Sequence, residues 1–171
     1  GWGGAGIEVM GQTKATLRIT SGSTGTLTAK GGYGEALYGS YGGAGIGGMA
    51  RITSNIKRVY VGNIIIEGGT INAVGGYQAA GIGGTIGESG GNITITGGTV
   101  NATGGYYAAG IGGGSIGNVD SITISGGTVT ATGGKDGAAI GVGYQSADAA
   151  DYVFSLGTIS ITGGAVTANG N

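Results

Sequence analysis

The chain has no cysteine, no proline and no histidine among its 171 residues, one phenylalanine, one tryptophan, and only seven basic and eight acidic side chains. Each gap excludes something. Without cysteine there is no disulfide framework and no thiolate metal site. Without proline, and with no glycine at every third position, a collagen helix is excluded. Without histidine and cysteine the chain lacks the commonest general base and the most reactive nucleophile. Sparse, balanced charge removes the basic stripe that nucleic-acid and anionic-membrane binders need. No run of 18 apolar residues occurs, and no charged segment followed by an apolar one marks a signal peptide. The opening "GWGGAGI", without Met, reads as a processed or trimmed product.

What is present is glycine, 47 residues of it, roughly four times the usual share of ~7%. The 39% of hydrophobic residues are mostly Ile, Val and Ala. A flexible glycine linker would lack the alternating β-branched runs found here. If each glycine carried the ordinary penalty of ~0.5–1 kcal/mol relative to Ala, the sum would exceed a typical folding margin of ~5–15 kcal/mol. Most glycines must therefore stand where alanine would be worse.

One phrase, I-x-I-x-G-G-x-V-x-A, recurs at Leu17/Ile19, Ile64/Ile66, Ile93/Ile95, Ile122/Ile124 and Ile159/Ile161. From Ile64 to Ile82, Ile93 to Ile111 and Ile122 to Ile140 the interval is the same 18 positions, which points to one structural unit repeated in space. Each unit holds three alternating stretches, such as "ITIT", "TVNAT" and "YAAGI", read as short strands. Gly-Gly pairs between them permit positive φ at sharp corners. Placing apolar residues inward assigns Ile93, Ile95, Val100, Ala102, Ala109 and Ile111 to the interior. The same sites recur as Ile122, Ile124, Val129, Ala131, Ala138 and Ile140.

This pattern predicts an all-β fold, a right-handed parallel β-solenoid of about three short strands per coil and five to six coils, forming a single domain over residues 1–171. No single coil should fold alone, because its apolar face is covered only by its neighbours. Longer insertions are expected at about 31–43, 47–63 and 141–158. The second carries Arg51, Lys57 and Arg58, the third Asp148 and Asp151. The connectors leave one corner and should project from one edge, where binding residues often sit.

The outward positions suggest three uses, set against the plain fact that Thr favours strands. A ladder of Asn72, Asn101 and Thr130, with Tyr77, Tyr106, Tyr144 and Tyr152 near turns and loops, suits sugar hydroxyls and pyranose rings. Tyr38 and Tyr41 lie on loops as well. A regular Thr array would also suit ice, but Arg18, Ile65, Glu67 and Lys30 interrupt it. A row of Gly45, Gly81 and Gly110, continued by Ala139, reads as a bare outer face that a second solenoid approaches closely. With Trp2, Ile159, Ile161 and Val166 at the two ends, that row marks a candidate assembly surface. Reading "GGAVTANGN" into "GWGGAGI" rebuilds the repeat with one extra residue, so either the chain is a slice of a longer array or copies of it stack head to tail.

Catalysis is not expected, since the eight carboxylates are scattered and no close pair recurs. No cofactor is implied. Asp136 in "GGKDGAAIG" stands alone, short of the calcium β-roll phrase, so no metal site is expected.

The phrase "ITITGGTVNATGG…AAGIGGG" resembles the glycine-rich repeats of parallel β-helix surface proteins of Gram-positive, clostridial-type bacteria, similar to carbohydrate-binding β-helix families. The resemblance covers most of the chain outside the long connectors. It implies an extracellular or cell-surface, adhesin-like module that takes polysaccharide. "QAAGI" and "YAAGI" stand where carbohydrate-binding relatives carry an acidic "GDGI" turn, so calcium-assisted binding is not carried over.

Overall fold

The computed structural model describes residues 3–9, 15–33, 41–50, 60–145 and 155–171. Trp2, Tyr38, Tyr152, Arg51, Lys57, Arg58, Asp148 and Asp151 lie outside the described residues, as does much of each long insertion. The described strands are β1 (Ile7–Glu8), β2 (Thr16–Ile19), β3 (Thr26–Lys30), β4 (Ile46–Gly47), β5 (Asn63–Ile66), β6 (Thr70–Val74), β7 (Ile82–Gly83), β8 (Asn92–Ile95), β9 (Thr99–Thr103), β10 (Ile111–Gly112), β11 (Val119–Ile124), β12 (Thr128–Thr132), β13 (Ile140–Gly141), β14 (Leu156–Ile161) and β15 (Ala165–Asn169). No helix occurs among the described residues, and so none is long and apolar enough to cross a membrane.

The strands form three five-stranded sheets. The first runs β2-β5-β8-β11-β14, the second β3-β6-β9-β12-β15, and the third β1-β4-β7-β10-β13. Every strand pair is parallel and in register. Ile122 faces Ile93 and Ile124 faces Ile95 in the first sheet; Val129 faces Val100 and Ala131 faces Ala102 in the second; Ile140 faces Ile111 in the third. The chain is a right-handed parallel β-solenoid with three strands per coil over five coils.

Like stacks on like because each inward column of the first two sheets is made of small or branched aliphatic side chains. Ile64, Ile66, Ile93, Ile95, Ile122 and Ile124 are wholly buried, as are Ile82, Ile111, Val100 and Val129. Each such side chain contributes about 1.5–3 kcal/mol when fully buried, and only stacking buries it. Outside, Arg18 donates from Nη2 to Glu67 Oε1 at 2.6 Å and from Nε to Oε2 at 3.1 Å, joining the first coil to the second. As an exposed pair it adds little stability.

The first corner follows the expectation for Gly-Gly. Gly69, Gly98, Gly127 and Gly164 have φ of 74–83° and turn the chain from the first sheet into the second. The second corner departs from it. There the positive φ falls on Gln78, Tyr107 and Asp136, at 62°, 65° and 57°.

The third stretch is also shorter than expected. "YAAGI" is a turn that ends in the two-residue strand Ile111–Gly112. Ala108 N–H donates to Gly105 C=O, and Ala109 N–H to Gly113 C=O, so the chain pinches around one inward isoleucine. Period-two alternation does not hold through such a turn. Gly45, Gly81 and Gly110 are consequently not a bare outer face. All three are buried, and a Cβ on Gly110 would lie 2.8 Å from the Ala139 carbonyl oxygen and 2.8 Å from Thr132 N. The neighbouring coil's backbone occupies the space a side chain would need, so the row fits rung-to-rung stacking and offers nothing to a second solenoid. Ala139 stands just before β13, the outermost strand of its sheet, and its methyl group is accommodated and packs on the core.

Candidate functional site

The corner between the second and third sheets gathers the aromatic side chains. After β9 the chain runs Gly104-Gly105-Tyr106-Tyr107, and the turn itself is stacked on its neighbours. Gln78 N–H donates to Tyr106 C=O at 3.1 Å and Tyr107 N–H donates to Lys135 C=O at 3.0 Å. Tyr144 arrives from the connector after β13, and its N–H donates to Tyr107 C=O at 2.8 Å. The backbone ladder thereby fixes four rings in one row. Tyr77 and Tyr106 stack at 5.6 Å and 12°, Tyr106 and Tyr107 meet at 4.3 Å and 67°, and Tyr107 and Tyr144 lie 4.8 Å apart at 31°.

Polar groups finish this row. Lys135 Nζ donates to the Tyr106 hydroxyl oxygen at 3.2 Å. It lies 5.5 Å from that ring's centre, so the ammonium sits beyond the hydroxyl and acts mainly through the hydrogen bond. The Lys135 hydrogen bond, followed by one from Tyr107, holds the Tyr106 phenol below its usual pKa. The partners move the opposite way. Tyr107, as donor to Tyr106, is raised, and Lys135 is raised by its bond to Tyr106. A depressed phenol pKa stabilises the fold only at alkaline pH, above the unfolded value, and adds nothing near neutrality. Asp136 Oδ2 lies 3.9 Å from Lys135 Nζ, an exposed and weak pair.

Two amide ladders run along the outer faces. On the second sheet Asn101 Nδ2 donates to Asn72 Oδ1 at 2.9 Å, with Thr130 next in register. On the first sheet Ser121 Oγ donates to Asn92 Oδ1 at 2.8 Å, Asn92 Nδ2 to Asn63 Oδ1 at 3.1 Å, and Asn63 Nδ2 to Thr16 Oγ1 at 3.3 Å. Each ladder bond uses one of an amide's two donors and part of its acceptor capacity, leaving the rest directed outward.

The structure therefore brings Tyr77, Tyr106 and Tyr144 into one row and sets Asn72, Asn101 and Thr130 on the adjoining face. Tyr107 and Lys135 complete the row and were not picked out from the sequence. The pair "YY" was the available signal, but alternation sends adjacent side chains apart, and only the positive φ of Tyr107 turns its ring toward Tyr106. The Asn63–Asn92 ladder was legible in the recurring "GNI" before two of the repeats. Among the described residues no group of three or more His, Cys, Asp or Glu is placed to hold a metal.

The end coils differ from the middle. Ile159 is 36% and Ile161 51% exposed, and Val166 is half-buried. At the opposite end Ile19, Leu27 and Ile71 line an open hollow of about 300 Å³ with Ser23, Gly25, Thr26 and Gly69.

The coil geometry defines a class, the parallel β-helix repeat proteins. The beta helix repeat family model matches residues 64–88, 93–115 and 122–144, which are three successive coils. The chain is similar to that family over those coils. No curated protein and no solved structure matches it.

Proposed function

We propose that this structural solenoid is a non-enzymatic, extracellular or cell-surface adhesive module of a bacterium, which holds polysaccharide along its outer corner. The observation that carries the reading is the tyrosine row beside the Asn72–Asn101–Thr130 ladder. The ladder repeats at the rung spacing of ~4.8 Å, and Tyr77 and Tyr106 hold equivalent positions on successive coils, so a polymer meets like groups on neighbouring rungs. Ring edges and hydroxyls provide the contacts here, because Tyr77 and Tyr106 cover each other's faces. The lack of histidine and cysteine and the scatter of the carboxylates support a binding role over a catalytic one. A glycan array comparing the wild type with a Tyr77→Ala/Tyr106→Ala variant tests it. Binding to at least one glycan, lost in the variant, is expected; no binding to any glycan would overturn the reading.

A second reading, end-to-end association of copies of this chain into a filament, is favoured by the exposed Ile159 and Ile161 and by β14 and β15, which stand outermost in their sheets among the described residues. Such edges template further strands. Concentration-dependent assemblies in size-exclusion chromatography and electron microscopy are expected, and Ile159→Lys/Ile161→Lys should disperse them. A wild type that stays monomeric at high concentration removes this reading.

A further inference from the structure

Tyr106 and Tyr107 meet more closely than aromatic pairs usually do. Their centres are 4.3 Å apart with the planes at 67°, inside the usual spacing of ~4.5–7 Å. The edge of one ring therefore lies against the other, and carbons of the two rings are in contact. A carbon–carbon bond between two ortho carbons holds ring centres at nearly this separation, leaves the rings twisted, and keeps the hydroxyls neighbours. The other contacts in the row do not share this arrangement. Tyr77 and Tyr106 are face to face at 5.6 Å, and Tyr107 and Tyr144 overlap at a shallow angle of 31°.

We propose that the Tyr106–Tyr107 pair is an oxidative coupling site, where a peroxidase acting with hydrogen peroxide joins the two rings into an intrachain dityrosine. Each phenol loses one electron and its hydroxyl proton, giving two phenoxyl radicals whose unpaired spin reaches the ortho carbons. These carbons form one bond, and their hydrogens move to the oxygens as the rings regain aromaticity. The pair loses two electrons and two protons in total, and one hydrogen peroxide is reduced to two waters.

Three further features direct oxidation here. The chain has no cysteine and only two methionines and one tryptophan to compete for the oxidant. The row from Tyr77 to Tyr144, with every contact under 6 Å, lets an electron vacancy formed on any member migrate to the pair. The Tyr106 oxygen accepts from Lys135 Nζ, which favours its phenolate, the form that gives up an electron more readily. The product is a covalent staple across a turn whose Tyr107 backbone is already held at positive φ.

The test treats the full folded chain with a peroxidase and limiting hydrogen peroxide, followed by dityrosine fluorescence, intact mass and peptide mapping. The expected result is a monomer lighter by two hydrogens, with the loss in the segment holding Tyr106 and Tyr107. Tyr107→Phe, which keeps the ring and should keep the fold, is expected to lose this product, and Tyr144→Phe to retain it. Unfolding the wild type in urea before oxidation should abolish the selectivity. The proposal is overturned if the folded wild type gives no such product, or if it couples first between chains through Tyr33 and Tyr60. Those two are 72% and 50% exposed against 38% for Tyr106, so they would lead if exposure alone decided. Persistence of the product in Tyr107→Phe, or the same map from the unfolded chain, overturns it as well.

Discussion

The middle coil of β8, β9 and β10 and the last strands β14 and β15 are built from nearly the same phrase. Ile93 and Ile95 in the middle correspond in register to Ile159 and Ile161 through one intervening rung. Their environments are nonetheless far apart. The first pair is wholly buried, whereas Ile159 and Ile161 are 36% and 51% exposed. Strand conformation and pairing geometry are shared, so neither produces the core. Burial comes from having a rung on both sides, as expected for an array in which each unit contacts only its neighbours.

The largest expected effect isolates that second neighbour at glycine. Gly112 and Gly141 have nearly equal φ, 133° and 137°. A Cβ on Gly112 would fall on the carbonyl oxygen of Gly141, whereas one on Gly141 would meet, among the described residues, only Ala138 Cβ at 3.6 Å and Ile159 Cδ1 at 3.7 Å. Alanine at either site carries backbone strain of about 1–3 kcal/mol. Gly112→Ala should lose clearly more, because a rung must also shift. Urea unfolding of the two variants measures the difference, and equal losses would show that φ alone sets the requirement.

A smaller contrast uses isoleucine. Ile95→Ala should cost about 2–5 kcal/mol, as for other buried large-to-small changes. Ile161→Ala should cost under about 1 kcal/mol, since half of its surface is already in water. Denaturant midpoints taken at a concentration where the chain is monomeric check this. A large loss at Ile161 would mean that the last rung is covered in solution, which would strengthen the end-to-end reading.

Several features were legible in the residues before any coordinate. The columns Ile93/Ile122, Ile95/Ile124, Val100/Val129 and Ala102/Ala131 follow from alternation within extended runs, and the observed register matches them. The Gly-Gly turn into the second sheet follows from the same reasoning. The error at Gly45, Gly81 and Gly110 came from extending alternation through "YAAGI", where the backbone turns and direction no longer follows residue parity. Tyr107 was passed over for the same reason. The ladders needed register as well as composition, because a hydrogen bond from Asn101 to Asn72 spans 29 residues of chain.

By itself the sequence determined the repeat, the parallel stacking and which aliphatic side chains share a column, because these depend on local periodicity copied from coil to coil. The tertiary structure alone decided which glycines are walled in by a neighbouring backbone, which rings meet at the second corner, and how deeply equivalent isoleucines are buried. Those properties depend on distances between separate coils, and no single repeat contains them.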